Sequence, residues 1–112
     1  MTNSRDKGKR GELEWVHYLK DKGYEARRGQ QFNGINGDAD VVSNLPIHWE
    51  VKRVEKLNID LAIEQAIRDA RDGNTPIVAH RKNGKTWMCT MLAEDLFKIL
   101  EGKCKPTTKT EY

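Results

Sequence analysis

The segment GDADVVSNLPIHWEVKRV, residues 37–54, decides the fold of this chain. Two runs of strand-forming residues, Ala39–Ser43 and Ile47–Val54, are separated by Asn44-Leu45-Pro46, a combination typical of a turn. Because so short a connection leaves no room for a crossover, we predict that the two strands form an antiparallel hairpin.

The second strand of this hairpin alternates in polarity. Its apolar side chains share one face, and the opposite face carries His48, Glu50 and Lys52. Asp40 lies on the first strand, which pairing brings within about 5 Å of the second. Two carboxylates and an ammonium group are therefore expected to converge. In the alternative interpretation, Glu50 and Lys52 are only a solvent-facing ion pair. Asp38, which shares the face of Asp40, is an alternative to it.

This set of groups meets a specific chemical need. Hydrolysis of a phosphodiester requires cations that neutralise the charge developing on the phosphate and on the leaving oxygen. Asp40 and Glu50 can hold a divalent metal, the carbonyl oxygen of Val51 can add a ligand, and Lys52 can orient water or stabilise the charge. Since every ligand is an oxygen, Mg²⁺ is the expected ion, with Mn²⁺ as a substitute.

A helix is predicted before the hairpin, from Ser4 to about Lys22, where Gly23 supplies a left-handed stop. Its apolar stripe is formed by Trp15, Val16 and Leu19. Glu12 falls on the same stripe, so its carboxylate is expected to face the core and to be a fourth member of the site. In the alternative, Glu12 extends into solvent and complements the helix dipole.

Further elements follow from periodicity and from turn residues. We predict a strand at Tyr24–Arg28, a loop at Gly29–Gly37, a helix at Ile59–Ala70, strands at Pro76–His80 and Thr86–Met91 joined at Asn83-Gly84, and a helix at Ala93–Glu101. The order predicts one mixed sheet flanked by helices, an α/β fold. Its first three strands form a meander, and the second helix is a crossover that allows a parallel return.

Length and composition restrict the class of protein. A chain of 112 residues suits one domain, expected at 1–102 and followed by a flexible tail at 103–112. The net charge of +3 comes from clustered Lys and Arg, which suits a polyanionic partner, although such residues can also simply solvate a surface. The two cysteines do not have metal-ligand spacing, and no apolar run reaches about 18 residues. We therefore expect a soluble cytoplasmic protein.

Several motifs resemble the PD-(D/E)xK nuclease superfamily and, more narrowly, archaeal-type Holliday junction resolvases and their phage and bacterial relatives. They are Gly37-Asp38-Ala39-Asp40-Val41-Val42, then Glu50-Val51-Lys52, Lys7-Gly8 with Glu12 beyond it, Arg27-Arg28, and Glu64-Gln65-Ala66. The resemblance covers roughly residues 5 to 100. Two departures are Ala39, where a proline often precedes the aspartate, and the short nine-residue spacing between Asp40 and Glu50.

The resemblance implies a restriction-endonuclease-like αβββαβ core. It also implies that Asp40 and Glu50 are metal ligands, that Lys52 is the catalytic lysine, and that Glu12 is an acid assisting at the metal. Gln65 would be a supporting residue. Since the periodicity puts Gln65 off the apolar stripe, an exposed helical glutamine is the alternative.

The expected function is metal-dependent hydrolysis of DNA, with a four-way junction as the substrate. The alternatives are a nicking, flap or restriction-like nuclease, and a non-catalytic basic module that binds nucleic acid. DNA contacts are expected from Arg5, Lys7, Lys9, Arg10, Arg27, Arg28 and Arg53. Paired nicks on a junction suit a homodimer. Trp87, Met88 and Met91 are candidates for its interface, with core packing as their alternative use.

Overall fold

The computed structural model describes residues 4–30, 39–71 and 73–104. The first helix, α1, spans Ser4–Asp21 and buries the expected stripe of Trp15, Val16 and Leu19. It ends where Gly23 adopts a φ of 98° and donates its N–H to the carbonyl of Lys20 at 2.9 Å. The left-handed stop is therefore at the glycine that the sequence predicts.

Within the described ranges, five strands form one sheet in the order in which they occur in the chain. They are β1 (Ala26–Arg28), β2 (Val41–Ser43), β3 (Ile47–Arg53), β4 (Thr75–Arg81) and β5 (Met88–Thr90). The first three strands pair antiparallel, β3 and β4 pair parallel, and β4 and β5 pair antiparallel. The meander and the parallel return are both confirmed.

Some strands are shorter than the sequence predicts. At the end of β2, the backbone N–H of Asn44 donates to the carbonyl of Glu25 at 3.1 Å, and the side-chain Oδ1 of Asn44 accepts from the N–H of Glu25 at 3.2 Å. The second of these bonds uses a side chain in place of a backbone carbonyl. The ladder between β1 and β2 therefore begins only at Ala26, not at the expected Tyr24.

Helices cover the two faces of the sheet. On one face, α1 packs against the alternate residues Trp49 and Val51 of β3. On the other face, α2 (Ile59–Asp69) packs Ala62 and Ala66 against Val78 of β4. The helix begins at Asn58, whose Oδ1 accepts from the N–H of Leu61 at 3.1 Å, as expected for an N-cap. Strand alternation therefore decides which β3 side chains meet α1 and which face the side of α2.

The last part of the described chain contains the hairpin between β4 and β5 and the helix α3 (Ala93–Cys104). The predicted turn at Asn83-Gly84 is confirmed by a hydrogen bond from the N–H of Lys85 to the carbonyl of Lys82 at 3.1 Å. Of the three residues considered for a dimer interface, Trp87 and Met91 are partly buried against the core, whereas Met88 is exposed.

Two predicted segments lie wholly or largely outside the described residues. These are the glycine-rich loop, of which only Gly29 and Gln30 are described, and most of the C-terminal tail. The last helix extends to Cys104, three residues beyond its predicted end. None of the helices in the described ranges has both the length and the apolarity of a membrane span.

Candidate active site

Asp40 and Glu50 lie side by side where β2 meets β3. Val41 pairs with Trp49, and the backbone N–H of Asp40 donates to the carbonyl of Trp49 at 3.1 Å. The carboxylate of Asp40 is also fixed, because its Oδ2 accepts a hydrogen bond from the N–H of Val51 at 2.9 Å. In an extended strand the N–H and C=O of one residue leave on the same edge, so the carbonyl of Val51 lies on the edge facing Asp40.

Glu50 is buried, with 3% of its surface exposed, and Lys52 lies beside it on the same face of β3. The Nζ of Lys52 is 3.6 Å from Oε2 of Glu50. The interpretation of Glu50 as half of a solvent-facing pair is therefore wrong. Lys52 remains one-third exposed, so its ammonium group is accessible from solvent. Strand alternation predicted that these two side chains share a face, and the structure adds that the carboxylate is buried while the cation stays accessible.

Burial raises the pKa of Asp40 to about 7, and the neighbouring carboxylate of Glu50 is the second cause. The hydrogen bond from Val51 and the charge of Lys52 oppose the rise, while Glu12 adds to it. Burial and the repulsion from Glu50 therefore outweigh the hydrogen bond from Val51 and the charge of Lys52. A perturbed carboxyl group of this kind is typical of a functional site, and a bound divalent cation would relieve the repulsion.

Glu12 approaches the site from α1 and is held by an arginine. Its Oε1 accepts a hydrogen bond from Nε of Arg28 at 3.1 Å, and both side chains are partly exposed. The alternative in which Glu12 simply extends into solvent is therefore not what the structure shows. Within the described residues, no group of three or more His, Cys, Asp and Glu side chains is arranged to hold a metal. Among the described residues, the two carboxylates that lie together and could bind a metal are those of Asp40 and Glu50.

A second ionic cluster, which the sequence analysis missed, lies beyond Glu12 on α1. Oε1 of Glu14 accepts from Nε of Arg53 at 3.0 Å and from Nε and Nη2 of Arg81 at 3.2 and 3.1 Å. Arg53 and Arg81 are direct neighbours in the β3–β4 register, so Glu14 separates two like charges. The alternation of side chains along β3 could have revealed this cluster. It places Arg53 on the same face as Trp49 and Val51, and α1 covers that face.

The backbone of α1 comes unusually close to β3 at this cluster. A Cβ atom added to Gly11 would lie 2.8 Å from Cβ of Arg53, closer than real Cβ contacts allow. Glycine therefore permits the approach that places Glu14 over the sheet.

His48 is a further residue of the site that the sequence analysis did not assign. It is buried, and its Nε2 is 3.9 Å from Oε1 of Glu50. The alternation of β3 placed His48 on the face of Glu50 and Lys52, but the sequence alone did not show that this face is buried there. The three polar side chains of the strand therefore form one contiguous group.

The remaining predicted residues are less closely associated with the site. Gln65 on α2 is half-buried, so its side chain is neither fully exposed nor part of the core. Among the basic residues, Lys9, Arg10 and Arg27 are exposed, whereas Arg28 and Arg53 are engaged with Glu12 and Glu14. Arg5 and Lys7 belong to α1, but their side chains lie outside the described set, as does the whole of Asp38.

The sheet order, the crossover helix and the position of the acidic pair define a restriction-endonuclease-like α/β fold. The solved structure of Hjc from Archaeoglobus fulgidus, a Holliday junction resolvase from an archaeal hyperthermophile, is similar to this chain. The TM-score is 0.57, with 26% sequence identity over 76% of this chain and 72% of that one. The expected resemblance to archaeal-type resolvases is thereby confirmed in structure. No family model matches the chain, and no curated protein matches its sequence.

Proposed function

We propose that this chain is a metal-dependent endonuclease that hydrolyses DNA phosphodiester bonds, with the four-way junction as its preferred substrate. The observation that carries the proposal is the convergence of Asp40, Glu50 and Lys52 on a restriction-endonuclease-like fold. The similarity to a Holliday junction resolvase supports a nuclease role for that site.

Asp40 and Glu50 would hold the metal, and the carbonyl of Val51 would add a ligand. The donor set fits Mg²⁺, because it consists of oxygens alone and leaves coordination positions for water. The raised pKa of Asp40 also fits, since it reflects a buried carboxyl group that lies beside the carboxylate of Glu50. When bound, the ion would supply Lewis-acid stabilisation of the phosphate and lower the pKa of a coordinated water.

Lys52 is suited to act on the phosphate. Its ammonium is held 3.6 Å from the buried carboxylate of Glu50 and is still partly exposed. A cation fixed in this way stabilises negative charge that develops on the phosphate, without the cost of reorienting during the reaction. Glu12 and Gln65 would support the site from the two helices, Glu12 through its contribution to the charge around Asp40.

Exposed basic residues would bind the DNA backbone. Lys9 and Arg10 on α1 and Arg27 on β1 are exposed on elements that border the site. Contacts of this kind position the duplex without reading sequence, and they weaken steeply as salt rises. We include Arg5 and Lys7 in this surface from their place in α1. Arg28 and Arg53 already bind carboxylates of α1, so for them this role would require an exchange of partners.

The test is cleavage of a labelled four-way junction in Mg²⁺ or Mn²⁺, beside flap, duplex and single-stranded DNA. We expect the junction to be cut best, and Lys52→Ala to lose at least about 100-fold in rate while it still binds DNA. Lys56→Ala is the matched control, because this lysine is exposed and lies just beyond β3.

The competing functions predict different results in the same assay. A preference for flap or duplex DNA would identify another kind of nuclease on the same fold. If the wild-type protein cuts nothing with either ion but binds nucleic acid, the non-catalytic module is the correct function. An RNA junction as an additional substrate would decide between DNA and RNA.

A further inference from the structure

His48 is a buried polar residue to which the chemistry described so far gives no role. Only 6% of its surface is exposed. Its register partner on β4 is Pro76, and the buried side chains of α2 on this side of the sheet are those of Ala62 and Ala66. A polar ring in such apolar surroundings costs free energy unless it interacts with another polar group.

The polar group beside His48 is the carboxylate of Glu50. Nε2 of His48 is 3.9 Å from Oε1 of Glu50, whereas Nζ of Lys52 is 3.6 Å from Oε2. Each carboxylate oxygen therefore has its own neighbour, one from two residues earlier in β3 and one from two residues later. The two-residue repeat of the strand puts all three side chains on one face, so this arrangement is a property of β3 itself.

The three side chains run from the interior of the protein to its surface. The exposed fraction is 7% for the side chain of His48, 4% for Glu50 and 33% for Lys52. The metal and the DNA would approach at the open end, where Lys52 lies. His48 lies at the closed end, behind Glu50, and is too deeply buried to contact DNA. Any effect of His48 on cleavage therefore acts through Glu50.

The carboxylate of a glutamate does not hold one orientation without help. The last torsion of the side chain is broad, so contacts at both oxygens are needed to fix the plane of the group. Lys52 supplies a cation at Oε2, and an Nε2–H of His48 would turn its positive edge toward Oε1. A metal ligand that is oriented in advance binds more tightly, and partners of this kind typically contribute about 10–100-fold in metal affinity.

We propose that His48 is a positioning residue, which holds the carboxylate of Glu50 in the orientation that binds the divalent metal. This inference deepens the proposed function and rests on it, because it takes Glu50 to be a metal ligand. His48 also borders a cavity of about 160 Å³, between the β2–β3 hairpin and the segment that follows α2. The cavity gives space in which a different side chain at position 48 can be accommodated.

Titration calorimetry with Mn²⁺, in the absence of DNA, tests the inference. His48→Leu removes both ring nitrogens and should raise the dissociation constant for Mn²⁺ at least about tenfold. Two amides then separate polarity from position. Gln can place its amide nitrogen near the position of Nε2, so His48→Gln should stay within about threefold of the wild type. Asn reaches only as far as Nδ1, so His48→Asn should behave like His48→Leu.

Cleavage of the four-way junction gives a second readout. The Mg²⁺ concentration for half-maximal cleavage should rise in the same order as the dissociation constant for Mn²⁺. The KM for DNA should not change, because a residue at the closed end of the row does not bind DNA. His17→Leu is the control, since His17 is an exposed histidine on α1, and both measurements should match the wild type.

Circular dichroism and urea unfolding in EDTA establish that the variants fold, and His48→Gln against His48→Asn keeps the test valid if the leucine variant does not. Equal affinity for Mn²⁺ in all of these proteins would overturn the proposal and leave the nuclease intact. A loss in His48→Gln as large as in His48→Leu also overturns it. So does a nitrogen coupling from His48 in the electron spin echo spectrum of bound Mn²⁺, which would make His48 a direct ligand.

The same measurements separate this inference from the proposed function. A wild type that binds Mn²⁺, with variants in the expected order, but that cuts no DNA would refute the nuclease and not the role of His48. A wild type that binds no Mn²⁺ would overturn both.

Discussion

Replacing Asp40 by Asn should stabilise the metal-free protein at alkaline pH and leave it unchanged in acid. In the folded chain, burial and the Glu50 carboxylate raise the pKa of Asp40 from 3.8 to about 7. Between these two values the folded state keeps a proton that the unfolded state has lost. The free energy of unfolding therefore decreases as the pH rises, and the loss is complete only above the folded-state pKa.

The magnitude follows from the size of the shift. A difference of about 3 pKa units corresponds to about 4 kcal/mol at 1.36 kcal/mol per unit. Asn has nearly the same shape as protonated Asp, and its oxygen can still accept the hydrogen bond that Val51 donates to Oδ2. The variant should thus match the wild type near pH 4 and exceed it by up to about 4 kcal/mol above pH 8.

Urea unfolding in the presence of EDTA, followed by circular dichroism from about pH 4 to about pH 9, measures this difference. Asp21→Asn is the matched control, because Asp21 is an exposed aspartate at the end of α1. Its curve should stay parallel to that of the wild type. If the curves of Asp40→Asn and the wild type are also parallel across this range, the charge of Asp40 is not opposed by its surroundings. The reasoning about the site would then fail.

Further predictions concern the contact between α1 and the sheet. Gly11→Ala should lower the free energy of unfolding by about 1–3 kcal/mol, because the new methyl group would meet Arg53. Gly8→Ala should instead raise it by about 0.5–1 kcal/mol, because a methyl group there would have nothing within 4 Å and alanine favours the helix. Equal effects of the two changes in urea unfolding would contradict the close approach. Glu14→Gln should cost about 1–3 kcal/mol, since Arg53 and Arg81 are left side by side. Combining it with Arg81→Gln should cost less than the sum of the single changes, and strict additivity would argue against a shared cluster.

Much of the fold could be predicted because its causes are local. The causes act over a few positions, and each has its expected structure: the turn residues at 44–46, the stop at Gly23 and the periodicity that predicted α2. Strand ends were predicted less well. The start of β1, for example, depends on a side chain nineteen residues away, Asn44, which binds the backbone of Glu25.

In the candidate site, too, the features with local causes were predicted and those that depend on distant residues were not. Strand alternation and a short turn were enough to place Asp40, Glu50 and Lys52 together, since both constraints operate within fifteen residues of chain. The partners of the arginines were not predicted. Arg28 and Arg53 were expected on DNA, and the structure pairs them with Glu12 and Glu14 of α1, which the chain order does not show.

By itself, then, the sequence determined which side chains share a strand face, the order of the elements and the acidic pair beside a lysine. These follow from the two-residue repeat of a strand and from the conformational limits of Gly, Pro and Asn. The tertiary structure alone decided that Glu50 is buried, that Asp40 resists ionisation, and that α3 leaves its apolar face in solvent. Burial and electrostatic environment are sums over atoms from distant parts of the chain, so they exist only once the helices have packed on the sheet.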